Sequence, residues 1–205
     1  MFELTIISPL AGLISMIIAG LIYFYIKRQP EGAPLMQELE VIINQGTMAF
    51  LKREYIILAL FTFCVILVLR FLFRDWQTPA AFISGILSSV IVIHLGVKAA
   101  TRGNSRTAEA ADRSGKSRAL AISYFSGSIT GISVAALGLV GLGAWFWWFG
   151  KGVDIVRYLS GFAMGVSSVA LFIRIGGGVF AKAADLGSDM AVRIEPGISQ
   201  DDFRN

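Results

Sequence analysis

Lys182, Asp185, Asp189 and Arg193 recur at spacings of three and four residues, and Arg174 precedes them in an otherwise small and apolar stretch. With Arg174 set at zero and about 100° per helical residue, Asp185 falls near about 20°, Asp189 near about 60°, Lys182 near about 80° and Arg193 near about 100°. The spacing therefore predicts one charged arc on a helix. Two carboxylates at i and i+4 destabilise a bare helix by about 0.2–0.5 kcal/mol, so this face needs cations. Two sources fit. Lys182 can pair with Asp185 and Arg193 with Asp189, which makes a salt-bridged, solvated helix. Alternatively the carboxylates hold Mg²⁺ that bridges phosphate oxygens, while Lys182 donates to the same anion. Mg²⁺ favours one or two protein carboxylates plus phosphate and water, so a pair from one helix is part of a site and the other ligands come from elsewhere. Gly176, Gly177 and Gly178 lack the Gly-x4-Gly-Lys-Ser/Thr spacing of a phosphate-cradling loop. With Gly161, Gly165 and Ser168 they read instead as small residues for close helix packing.

The elements that must position these groups are membrane helices. Hydrophobic residues make up 55% of the 205 residues and mean hydropathy is +0.69, more apolar surface than one soluble core of this size can hide. Segments 4–26, 76–97 and 119–150 carry no charge, and each exceeds the about 20 residues needed to cross hydrocarbon. Segment 55–73 spans if Arg70 snorkels to the interface, and 158–181 spans if Arg174 faces protein or water. The expectation is an all-α polytopic transmembrane bundle of five helices, treated as a single membrane domain over 1–205, with a cytoplasmic helical extension at 182–195. Segment 4–26 lacks a basic start and is too long for a signal-peptide core, so it reads as a retained span. Lone Cys64 excludes an internal disulfide framework, and His94 reads as a packing residue of the third span.

Apart from Arg174, five spans divide the basic residues 13 to 4. By the positive-inside rule the amino terminus lies outside and the carboxy-terminal end in the cytoplasm, with Trp145, Trp147 and Trp148 at the outer interface. The same asymmetry accounts for the net charge of +4 without a nucleic-acid partner. Stretch 98–118 reads as a small, polar, basic loop, either an ordinary positive-inside loop or one that attracts anionic lipid or polyphosphate.

The run IRIGGGVFAKAADLGSDMAVRIE, residues 173–195, resembles the signature of the membrane-bound, ion-translocating inorganic pyrophosphatases, usually R-x-GGG-[IV]-[YF]-T-K-[AS]-AD-[VM]-GADLVGK-x-E. QGTMAFLKREY at 45–55 is similar to that family's GAxAFLxxEY element, and ATRGNSRTAEAA at 100–111 to its NxRTAxAA element. The resemblance runs through the whole chain in order. It implies an amino-terminal fragment of a pump of about sixteen helices, with Lys182 as a pyrophosphate ligand, Asp185 and Asp189 as Mg²⁺ ligands, and Arg174 in the ion pathway. It also implies a homodimer in the full-length family. Five positions depart from the pattern: Ala181 for Thr, Ser188 for Ala, Val192 for Gly, Arg193 for Lys, and Gln200 where an acid often follows. Arg193 keeps the charge of Lys but exchanges a point ammonium for a planar fork.

The expected function is therefore Mg²⁺-dependent hydrolysis of pyrophosphate coupled to H⁺ or Na⁺ translocation out of the cytoplasm. This chain by itself is expected to be inactive, and no residue activating the water is evident. The alternative is a truncated, catalytically inactive membrane remnant. A small cation transporter ranks below both, because it needs an acid deep in a span.

Overall fold

The computed structural model describes residues 2–195 and 197–199. Five long helices make up the architecture: α1 Phe2–Lys27, α2 Pro34–Phe73, α3 Gln77–Arg113, α4 Lys116–Phe149 and α5 Ile155–Ile194. No strand occurs among the described residues. Each helix holds an apolar window long enough to cross a bilayer, and the chain is an integral membrane protein.

Length decides which parts leave the lipid. At about 1.5 Å per residue, the 40 residues of α2 extend about 60 Å, twice the about 30 Å of hydrocarbon. Its polar first half therefore projects beyond the bilayer, and α3 and α5 project at the same end. Stretch 98–118, read from its polarity as a loop, is instead helical to Arg113, and the turn shrinks to Ser114 and Gly115. The reason is local. Ala99, Ala100, Ala108, Ala110 and Ala111 favour helix, and the same stretch buries Ala99, Gly103, Arg106 and Ala110 against its neighbours. Gly115, at φ +85°, makes the reversal.

α3 is the central helix, touching all four others. Small residues let it do so. On α3, Gly85 sits against the Phe162 carbonyl of α5, and reciprocally Gly165 of α5 sits against the Phe82 carbonyl of α3. Either position admits no Cβ without displacing backbone, as at the small-residue contacts of membrane bundles. Phe82, Ile86, Leu58, Leu69 and Val169 fill the space between α2, α3 and α5. Ile26, Ala99, Ala119, Ile122 and Ile129 fill the space between α1, α3 and α4.

Candidate functional site

α5 carries two opposed faces. Its buried residues are Tyr158, Gly161, Phe162, Gly165, Val169 and Gly176, which on the same wheel fall at roughly 140–240° from Arg174. The charged arc occupies roughly 0–100°, nearly opposite. Arg174 is accordingly exposed, and every residue from 178 to 187 is exposed as well. Lys182 Nζ lies 3.5 Å from Asp185 Oδ2, with the two side chains 81% and 66% exposed. The i+3 ion pair anticipated from spacing is thus present, and such an exposed pair adds little stability. Asp189 is half-buried one turn further on, and Arg193 closes the helix in its last turn. Gln200 lies outside the described residues.

Among the described residues, no group of three or more His, Cys, Asp or Glu can hold a metal. Asp185 and Asp189 on one helix face are a donor set that fits part of a Mg²⁺ site and no more. Of the triple glycine only Gly176 serves close packing. Gly177 and Gly178 have nothing within reach of an added Cβ. At Gly176 an added Cβ would stand 2.7–2.8 Å from the carboxyl group of Glu54 on α2.

A second polar cluster escaped the reading of motifs. Arg106 is 2% exposed. Its guanidinium pairs with Glu31 in the α1–α2 linker, lies 3.7 Å from Glu40 of α2, and donates to the Arg102 carbonyl at 2.9 Å. Ser105 donates to the same Glu40 carboxylate. Nearby, Arg102 donates to the Tyr23 hydroxyl and Arg113 pairs with Glu109 at 2.6 Å. The basic residues of 98–118 are therefore in large part engaged within the chain. They fasten the projecting halves of α2 and α3 together. The one available signal was Arg106 itself, an arginine inside an alanine-rich helical pattern with acids only at distant positions.

At the opposite end Arg157 pairs with Asp75 at 2.9 Å and Asp154 at 3.0 Å. Asp75 also accepts from the Thr78 amide and hydroxyl, capping α3. Trp147 and Trp148 are exposed, as a membrane-interface belt requires. Trp145 turns inward instead, donating to Ser84 at 2.8 Å and stacking on Phe149. Arg70 lies over the Trp76 ring at 4.8 Å. His94 is not packed away but exposed, in a shallow groove with Leu51, Lys52 and Tyr55.

Residues 13–205 match the pattern of the family described as "Inorganic H+ pyrophosphatase". The chain is 42% identical over 198 residues to a Clostridium tetani protein provisionally assigned as a K(+)-stimulated pyrophosphate-energized sodium pump, covering 97% of this chain and 29% of that one. It is 37% identical to the K(+)-insensitive pyrophosphate-energized proton pump of Methanosarcina mazei, covering 100% of this chain and 30% of the relative. With the K(+)-insensitive pyrophosphate-energized proton pump 2 of Moorella thermoacetica the identity is 35%, over 99% and 30% of the two chains. The chain thus spans under a third of the length of these relatives. The buried glycine seam, the outward charged face of α5 and the match across residues 13–205 meet in one conclusion: the chain belongs to the inorganic H⁺ pyrophosphatase family.

Proposed function

We propose that this chain supplies one wall of the hydrolytic site, and the start of the ion path, of a pump that splits pyrophosphate to move H⁺ or Na⁺ out of the cytoplasm. The carrying observation is the opposition of faces on α5. The side of the helix packed against α2 and α3 is small and apolar, whereas Arg174, Lys182 and Asp185 face away from that seam. Charges arrayed on the unpacked side of a helix suit a site completed by further helices.

In this reading Lys182 donates to pyrophosphate and fixes one end of it. Asp185 and Asp189 are the residues that would hold Mg²⁺, which when bound neutralises phosphate charge. Phosphoryl transfer asks the protein mainly for positioning and charge neutralisation, and residues fixed along one rigid helix meet that demand. Arg174 lies about 12 Å from Lys182 along the axis, too far to hold the same phosphate, and its charge sets the electrostatic barrier for a passing cation. The projecting ends of α2, α3 and α5 lie in the cytoplasm, as the 13 to 4 basic asymmetry favours.

Phosphate release from Mg²⁺-pyrophosphate tests the reading. The purified chain inserts in lipid and releases none, because α5 offers too few ligands. Within a longer pump carrying these residues, Asp189→Asn abolishes hydrolysis, whereas Arg174→Ala impairs ion uptake more than substrate binding. Normal hydrolysis by Asp189→Asn overturns the ligand role, and turnover by the chain alone overturns the incomplete wall.

A further inference from the structure

Glu54 begins as a residue just outside the apolar segment 55–73, yet the structure places it inside the bundle. It is 9% exposed, and its carboxyl group rests against Gly176 of α5. Ring contacts flank it along the two antiparallel helices, Phe50 with Phe180 on one side and Phe61 with Phe172 on the other. The cations in reach of that level are Lys52 and Arg53 on α2 itself, His94 and Lys98 on α3, and Arg174 on α5. Lys52 and His94 share a groove on the far side of Leu51 and Tyr55. Arg174 stands about 200° around α5 from Gly176. Among the described residues no ion pair or hydrogen bond reaches the Glu54 side chain. The hydroxyl of the adjoining Tyr55 is likewise buried without a hydrogen-bond partner.

A buried ionised carboxylate left unpaired is strongly disfavoured, so the group must take up a positive partner. We propose that Glu54 is a monovalent-cation site at the α2–α5 contact, its carboxylate accepting a proton or a sodium ion. Gly176 is what makes room for it. Any side chain there would push the carboxylate off α5, so the glycine of the signature and the glutamate of the 45–55 element form one device. Membership of that site in the translocation path rests on the pump reading, but the cation affinity of Glu54 does not.

The test is infrared difference spectroscopy on the full chain in phosphatidylcholine vesicles, which needs no hydrolysis and so stands or falls apart from the catalytic reading. The carbonyl band of a protonated carboxyl is followed between mildly acidic and alkaline buffer, and then at constant pH on replacing choline chloride with sodium chloride. A band that responds to pH alone identifies the proton; one displaced by sodium identifies Na⁺. Either response should vanish in Glu54→Gln. Gly176→Ala, which keeps the carboxylate but crowds it, should move the half-point at least tenfold in cation concentration, and so covers the case in which Glu54→Gln fails to fold. If no carboxyl band responds, or if it persists unchanged in Glu54→Gln, the proposal is wrong.

Discussion

Arg106→Ala should open the cytoplasmic-end junction of α1, α2 and α3 without unfolding the membrane-spanning parts. The guanidinium is 2% exposed and holds Glu31 and Glu40, whose side chains are 57% and 21% exposed. Removing one partner of a buried ion pair typically costs about 3–5 kcal/mol, chiefly by leaving the other charge buried and unpaired. Glu31 can rehydrate where it stands, so only Glu40 pays that penalty in full, and the lower end, about 3 kcal/mol, applies. At about 1.4 kcal/mol per tenfold, the open form of the linker becomes on the order of a hundred times more populated. Amide hydrogen exchange across residues 28–40, in lipid vesicles, reads that population directly. Arg106→Lys should recover little, because one ammonium cannot meet Glu31, Glu40 and the Arg102 carbonyl together. Exchange in 28–40 that changes less than about threefold in Arg106→Ala, under half of the predicted 1.4 kcal/mol step, would show that the cluster does not fasten these helices.

Gly165→Ala should lower thermal stability by about 1–3 kcal/mol, since its methyl group meets the Phe82 carbonyl. Gly127→Ala, with nothing within 4 Å, should instead gain up to about 1 kcal/mol of helix propensity; equal melting shifts for the two would refute the seam. In a Cys64→Ser background, an impermeant maleimide should label Asn104→Cys only from the cytoplasmic side and Val153→Cys only from outside, and the reverse pattern would invert the topology.

The apolar runs were legible because a bilayer demands them by length alone, and the charged arc of α5 was legible because helical periodicity can be counted in one dimension. What failed did so for identifiable reasons. Polarity in 98–118 was taken for a loop, although polar residues end a helix only when they compete for its backbone, and here alanines dominate. Arg106 and Glu31 are 75 residues apart, and no local pattern announces a partner at that range. Trp145 shares its composition with the interfacial Trp147 and Trp148, and only the position of Ser84 on another helix turns it inward. Of the triple glycine, α2 meets only Gly176, because Gly177 and Gly178 point about 100° and 200° further around the helix.

The mode of packing also bears on how hydrolysis and ion movement can share one element. α5 runs without a break from Ile155 to Ile194, gripped at Gly165 by a backbone contact that leaves no slack, and exposed from 178 to 187. Asp189 lies 24 residues beyond that grip, about 36 Å along the axis, and Arg174 nine residues beyond it, about 13 Å. A tilt of about 5° about the Gly85–Gly165 contact therefore moves Asp189 by about 3 Å and Arg174 by about 1 Å. Three ångströms is the difference between holding a phosphate-bound cation and losing it, whereas one ångström is enough to remake a hydrogen bond in a narrow path. Glu54, at the Gly176 level between those two points, is where α2 would first register such a tilt. A helix anchored by glycine at one end and charged along its opposite face thus ties the two events by leverage, with no need for a chain of side-chain relays between them.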